Sequence, residues 1–354
     1  MSMSDARAAT DSSLETRRQV RAATIDAPGA EPRLGWIDAP ERRDGTTLLR
    51  VIAAPLNPLD LLIASGTFHS ARHEEPYVPG SECVGVVVDS DRFAAGAIVY
   101  AECHPTPAAP GAFAEQIVVS DEDILPLPES IDPVLAAAIG NSGTAAFMPL
   151  VEVAAIKAGE TVLVLGATGA VGQLAVQIAH LQGARPVIGV ARDCASLAGL
   201  LALGADAVVE LHSDEDAASL ARRIREVAGE VDVVIDGLYG IPLEAALQVC
   251  AQHARVVNVG HSAAPTAIIP AGALRGKQVT LTGFAGLHTP LRDKAAALTW
   301  LWSAVQTGQL QVAVKTIPIE ELDVAWRAQA SSPHAKYVIL YPRSERDVSN
   351  EREI

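Results

Sequence analysis

The sequence predicts an α/β protein in which a doubly wound parallel sheet is joined to a second, β-rich domain. Three observations carry that prediction. Thr161 to Leu165, TVLVL, is an unbroken β-branched and leucyl run that ends in a glycine turn, GATGAVG, and passes straight into an apolar-periodic segment. Downstream, strand-like and helix-like stretches alternate in the manner of βαβ units. Both ends of the chain carry short β-branched runs divided by Pro and Gly, as a β-rich domain built from the two termini requires.

Taken in order, residues 1–18 lack periodic apolar positions and are expected to be a flexible tail. From Val20 to Val88 short strands such as TTLLRVIAA are separated by PLNPLD and PYVPG, and Phe93 to Val99 and Ala112 to Val119 are expected to continue them. Asp132 reads as the N-cap of a helix with Pro133 in its first turn. Then come TVLVL, the glycine turn and its helix, the strand Pro186 to Val190, a helix through LAGLLALGA and the strand AVVEL. A helix around Ala217 to Val227, the strand VDVVID, a helix from Pro242 and the strands ARVVNVG and QVTLTGF complete the alternation. Beyond Leu310 the chain returns to strand-like VAVKTIPI and KYVILYP with a helical stretch between, and the charged residues 343–354 are expected to be a second tail. The expected domains are therefore 19–139 with 311–342, and 140–310, with a cleft between them.

The glycine turn carries the chemistry. A strand buried on both faces has no solvent side to alternate toward, which is how TVLVL reads. Gly166, Gly169 and Gly172 lack a Cβ where a dinucleotide would press on backbone. The first turn of the next helix aims free N–H groups and its dipole at a phosphate pair. A glycine trio alone also fits an ordinary tight turn, but here a strand precedes it, a helix follows, and a second strand arrives about one βαβ unit later. The end of that second strand selects the nucleotide. NAD sites place a carboxylate there for the ribose hydroxyls, whereas NADP sites need a cation for the 2′-phosphate. VIGVARD puts Ala191 at the acid position and Arg192 next, so the expected cofactor is NADPH.

Bulk properties bound the alternatives. With 354 residues, 49% of them apolar, the chain suffices for two domains and a substantial core. No apolar run approaches a bilayer span and the polar N-terminus has no h-region, so a soluble, cytoplasmic protein is expected. Cys83, Cys103, Cys194 and Cys250 are scattered without a C-x-x-C pair and read as reduced thiols. A formal net charge of −15 opposes general affinity for nucleic acid or an anionic membrane.

NPLD at 57 to 60, PYVPGSECVGVV at 76 to 87, GTAA at 143 to 146, GATGAVG at 166 to 172, ALGAD at 202 to 206, VDVVID at 231 to 236 and RVVNVG at 255 to 260 together resemble the medium-chain dehydrogenase/reductase superfamily, and within it the zinc-free quinone oxidoreductase branch. The resemblance spans about Val20 to Pro342 and implies a Rossmann-type nucleotide domain with a GroES-like catalytic domain. It implies cofactor contacts along Gly166, Ala167, Thr168, Gly169, Ala170, Val171 and Gly172, and at Arg192, Asp236, Gly260 and His261. It brings Asn57, Asp60 and Thr144 to the nicotinamide pocket as catalytic candidates. Asn57 equally suits a turn-stabilising role before Pro58, Asp60 reads as a structural cap of LLIAS, and Thr144 equally suits the N-cap of the next helix.

Zinc-dependent members carry Cys where Asn57 stands and Gly-His-Glu where Gly80, Ser81 and Glu82 stand. Their four-cysteine loop would fall near 100–112, where only Cys103 occurs, so no metal is expected. Without that Lewis acid, hydride delivery to a quinone or to the β carbon of an α,β-unsaturated carbonyl is the accessible reaction, with hydrogen-bond donors stabilising the enolate. Many quinone reductases of this type have Tyr at the position of Leu62 and Arg at that of Ala64. Their replacement points to a specialised pathway, or to an NADPH-binding sensor or structural protein that has lost turnover. His69, His73, His104 and His261 lie in expected loops, His69 nearest the substrate and His261 nearest the cofactor. No histidine sits in a motif, and water suffices as the proton source. The resemblance also implies a homodimer, with the alternating VTLTGF as a compatible edge strand.

Overall fold

The computed structural model describes residues 18–68, 76–107, 109–331 and 334–341. All but the last residue of the expected tail 1–18, the expected tail 343–354, and the histidines His69 and His73 lie outside the described residues.

Strands β1 (Gln19–Thr24) and β2 (Arg33–Asp38) form an antiparallel pair, followed by β3 (Thr46–Pro55) and the short helix α1 (Pro58–Ala64). Then come β4 (Glu82–Asp89), β5 (Ile98–Glu102), β6 (Gln116–Ser120) and β7 (Ile124–Pro126). Helix α2 (Pro133–Phe147) opens the α/β half, with the Asp132 carboxylate accepting from Val134 N–H at 2.7 Å. The half continues as β8 (Val162–Leu165), α3 (Ala170–Leu181), β9 (Val187–Ala191), α4 (Cys194–Ala202), β10 (Ala207–Glu210), α5 (Ala217–Ala228), β11 (Val231–Asp236), α6 (Gly240–Val249), β12 (Cys250–Asn258), α7 (Ala271–Lys277), β13 (Thr280–Gly283) and α8 (Leu291–Gln306). Finally β14 (Val314–Pro318), α9 (Leu322–Gln329) and β15 (Lys336–Leu340) return the chain to its first half.

The sheet of the α/β half is parallel throughout and ordered β10-β9-β8-β11-β12-β13, the reversal falling between β8 and β11. Along β8 successive side chains serve different cores. Val162 and Val164 pack with α2, α3 and α8, while Leu163 and Leu165 pack with α5 and α6. All four are essentially inaccessible, which is why the strand reads as continuous rather than alternating. The other sheet runs β14-β15-β3-β4-β5-β7 with β6 paired to β3, so the C-terminal strand β15 lies antiparallel against β3. The two halves are tied by polar contacts as well. Gln177 of α3 exchanges bonds of 2.9 and 2.8 Å with the backbone of Gln311. The nearly inaccessible Lys294 of α8 reaches Glu102 of β5 at 2.6 Å.

Four expectations need correction. The stretch FAAGAIV is mostly turn: Gly96, at φ +85°, donates to the Val87 carbonyl, and the strand starts at Ile98 and runs on through Glu102. Likewise Ala112 to Glu115 precede β6, which begins at Gln116. Residues 285–310, unassigned from sequence, hold α8. An apolar helical run of bilayer length does exist: α2 continues as a π-helical stretch, Met148–Val153, giving 21 residues of mean hydropathy 1.5. It is a core helix, 72% of its apolar window being buried in the protein.

Glycine is needed where α3 meets β8. A Cβ on Gly172 would press into the Gly166 carbonyl and lie 2.7 Å from Ala167 Cα, both backbone atoms that cannot rotate away. Gly172→Ala is expected to lose about 1–3 kcal/mol of stability through overpacking. Gly199→Ala in α4, where nothing lies within 4 Å, should be neutral or gain up to about 1 kcal/mol from helix propensity. Urea unfolding of both variants checks the pair; equal effects would contradict the packing account.

Candidate functional site

Two constellations meet near the junction of the domains. The first lies along the carboxyl edge of the parallel sheet, where the turns after β9, β8, β11 and β12 stand side by side. After β8, Gly166 takes φ +83° and its carbonyl accepts from Gly169 N–H at 3.1 Å, turning the chain into α3. The N-cap of α3 is Gly169, which has no side chain to cap the helix. By contrast, Asp132, Asp193 and Asp216 cap α2, α4 and α5 with their carboxylates. The first N–H groups of α3, from Ala170 and Val171 onward, therefore have no side-chain cap, in the arrangement an anion requires.

The neighbouring turns shape this edge. Asp236 is fully buried at the end of β11, where its carboxylate accepts from Leu238 N–H (3.0 Å), Tyr239 N–H (2.8 Å) and Asn258 Nδ2 (2.8 Å). Burial raises its pKa, and those donors oppose the shift. Its acceptors hold the turn that places Leu238 against Gly166, where a Cβ would meet the leucine at 3.2 Å. Gly260 follows β12, close enough to the Gly237 carbonyl that a Cβ there would sit at 3.1 Å, and His261 beyond it is exposed. After β9 the buried Ala191 is followed by an exposed Arg192, for which no carboxylate partner occurs among the described residues.

The second constellation is a buried polar cluster built from five separate parts of the chain. Asn57, the N-cap of α1, is fully inaccessible. Its Nδ2 donates to Glu82 Oε1 at 2.9 Å and to Ser81 Oγ at 3.2 Å, and its Oδ1 accepts from the ammonium of Lys336. Lys336, the first residue of β15, also donates to Ser142 Oγ on α2 at 2.9 Å. Glu82 further accepts from Tyr100 OH (2.8 Å) and from the Asn141 N–H (2.7 Å). Gly140 permits that approach, since a Cβ there would collide with the Glu82 carboxylate and lie 2.6 Å from the Tyr100 ring. Asp60 accepts from Asn57 N–H at 2.8 Å, and burial pushes its carboxyl up to about 7 against the hydrogen bonds from Asn57 and Ser81. Burial also lowers the Lys336 pKa, opposed by the charges of Glu82 and Asp60.

The three catalytic candidates are thus brought to one region, but each is engaged internally. Both Asn57 amide hydrogens are taken. Thr144 is not the N-cap of a helix: it lies inside α2, its hydroxyl on the Gly140 and Asn141 carbonyls at 3.2 and 3.1 Å. Sequence reasoning missed Lys336, Ser142 and Tyr100, which belong to no local motif and meet Asn57 and Glu82 only through the fold. Their one sequence signal was Lys at the head of an otherwise apolar strand, KYVIL. Of the positions where pocket side chains were expected, Leu62 is half-buried and Ala64 is buried in the β-rich core. His104 is exposed, with Nε2 3.6 Å from Asp123.

Residues 43–129 match the alcohol dehydrogenase GroES-like domain family and residues 170–303 the zinc-binding dehydrogenase family. The chain is 31% identical to human quinone oxidoreductase over 249 residues, covering 69% of this chain and 73% of that protein. It is 28% identical to the quinone oxidoreductase of Lama guanicoe over 329 residues, covering 91% and 97%. Among solved structures, a mycobacterial protein crystallised with NADPH superposes with a TM-score of 0.80 at 24% identity, over 91% of this chain and 99% of that one, a likeness of fold.

Zinc does not fit the residues present. At the three positions where zinc ligands would stand, Asn57, Ser81 and Glu82 offer an amide, a hydroxyl and one carboxylate, and a lysine ammonium already occupies the amide oxygen that a metal would use. No group of three His, Cys, Asp or Glu side chains able to hold a metal occurs among the described residues. A dinucleotide fits the first constellation, because the uncapped helix start and the side-chain-free Gly169 leave backbone donors facing outward.

Asp60 makes a pH prediction. The folded carboxyl keeps its proton up to about 7, whereas an unfolded one releases it near pH 3.9. The folded state therefore binds more protons between those values, and the stability Asp60 contributes is lost as pH rises toward 7. The stability of Asp60→Asn relative to the parent is expected to rise between about pH 5 and about pH 8. Urea unfolding at both values checks this, and an unchanged difference would contradict it.

Proposed function

This chain belongs to the quinone oxidoreductase branch of the medium-chain dehydrogenase/reductase superfamily, and from that premise we propose that it is an NADPH-dependent, zinc-independent oxidoreductase that reduces a quinone or the C=C bond of an α,β-unsaturated carbonyl. The observation that carries the cofactor is the pairing of an uncapped α3 start with Ala191 and Arg192 one strand away. Backbone N–H groups of Thr168, Ala170 and Val171 at the start of α3 hold the pyrophosphate, while Gly166, Ala167 and Gly169, whose N–H groups bond the Val190 and Gly166 carbonyls, and Gly172 shape the turn and let the ligand approach the backbone. Arg192 meets the 2′-phosphate, and the absence of a carboxylate at Ala191 removes the repulsion an NAD-type site would impose. When bound, the nicotinamide supplies a hydride.

The chain's own part is to orient and to exclude water. Asp236 and Gly260 hold the turns that flank the glycine turn, with His261 at the edge. Asn57, Asp60 and Thr144 act as the rigid floor of the nicotinamide pocket, their hydrogen bonds directed inward and the Lys336 charge beneath them. That cation favours negative charge developing on a carbonyl oxygen, the task zinc performs in metal-dependent relatives. A second copy pairs along β13, the edge strand of the parallel sheet. The inward commitment of Asn57, Asp60 and Thr144 also favours a second reading, a nucleotide-binding protein without turnover. A panel of quinones and enones separates the two, since a binder would perturb NADPH fluorescence yet oxidise none of it.

Binding titrations of NADPH and NADH test the cofactor assignment. NADPH is expected to bind more tightly, and Arg192→Ala should cost about 1.5–3 kcal/mol of NADPH binding through lost charge-assisted hydrogen bonds while leaving NADH nearly unchanged. Equal affinity for the two nucleotides in the parent would contradict the assignment.

A further inference from the structure

His334 is outside every motif, yet it is the residue through which the C-terminal part of the β-rich domain touches the glycine turn. Its Nδ1 lies 3.1 Å from the Thr168 carbonyl oxygen. A carbonyl only accepts, so Nδ1 carries a hydrogen. The other ring nitrogen, Nε2, lies 3.7 Å from Asp193 Oδ2. Gln173 of α3 fixes this contact from the other side, its Nε2 donating to the Thr168 carbonyl at 2.7 Å and to the His334 carbonyl at 3.2 Å. The His334 backbone is held at φ +53°, a left-handed conformation that a histidine adopts at a cost.

Asp193 is the reason such a residue is needed. It follows Arg192 directly, so a carboxylate stands beside the cation assigned to the 2′-phosphate. Hydrogen bonds from Ser196 first, with smaller help from His334, hold the Asp193 carboxyl below its usual range and therefore ionised. An ionised carboxylate next to a phosphate dianion opposes binding unless its field is compensated.

We propose that His334 is a specificity-determining residue for the nucleotide: its ring, fixed on the Thr168 carbonyl through Nδ1 and facing Asp193 through Nε2, offsets that carboxylate and so lets Arg192 accept a 2′-phosphate. The inference rests on the NADPH reading above. It also makes the nucleotide site a joint product of both domains, since His334 precedes β15, whose first residue Lys336 anchors the buried cluster. His334 acts here as a positioning residue for the cofactor's phosphate end, remote from the reacting atoms.

The test is a double-mutant cycle on nucleotide binding, read as Kd for NADPH and for NADH with His334→Gln, Asp193→Asn and the pair. His334→Gln is expected to weaken NADPH about tenfold while changing NADH less than about twofold. Asp193→Asn in the His334→Gln background is expected to restore the preference, because asparagine still caps α4 but carries no charge. An equal loss for both nucleotides would overturn the proposal in favour of a general phosphate or packing role. Failure of Asp193→Asn to restore the preference would overturn the compensation argument. If the parent protein shows no preference for NADPH, the cofactor reading itself fails; if it shows one that His334→Gln leaves intact, only this inference fails.

Discussion

The buried ammonium of Lys336 is the interaction on which the rest of the catalytic half depends. Burying a charge costs several kcal/mol unless partners replace the lost water. Here they come from Asn57 on the loop into α1 and Ser142 on α2, with the charges of Glu82 and Asp60 opposing the loss of its proton. Because β15 lies against β3, the C-terminal strand is positioned to deliver that lysine to a site assembled by residues between Asn57 and Ser142. Glu82 is in turn gripped by Tyr100 of β5 and by a backbone N–H of α2, whose close approach Gly140 allows. One cation thus joins strand, loop and core helix.

The nucleotide half is organised on a different principle. Its central strands need no charged anchor, because β8, β9, β11 and β12 send side chains into apolar cores on both faces of the sheet. Its binding features fall at the carboxyl edge as a consequence of strand order: the reversal between β8 and β11 opens a crevice, and the turns after β9, β8, β11 and β12 line it. The two halves meet through Lys294 on Glu102, Gln177 on Gln311 and His334 on Thr168. Each of these contacts flanks one of the two constellations, so the halves are held together at the site itself.

Much of this was legible from local pattern. TVLVL followed by glycines and an apolar helix is a signal carried by contiguous residues, and so is Asp132 before Pro133. The parallel alternation and the return of the C-terminal strands to the first domain are likewise written in periodicity. The buried cluster was not, because Lys336 and Asn57 are 279 residues apart and neither has a neighbouring residue that betrays the pairing. Thr144 fitted two local roles, and only the tertiary course of α2 decided that it is interior. In FAAGAIV the apolar count suggested a strand, but Gly96 at positive φ turns the chain before Ile98. His334 lay beyond any sequence argument, since its role comes from a turn crossing to the other domain.

The central claim is that a lysine-anchored cluster, rather than a metal, underlies hydride transfer in this protein. The most direct measurement is the rate of NADPH oxidation with a 1,4-quinone or an enone as acceptor, before and after exhaustive chelation. The account predicts turnover that chelation leaves unchanged and that added zinc does not raise. Turnover abolished by chelation and recovered on adding zinc would contradict it.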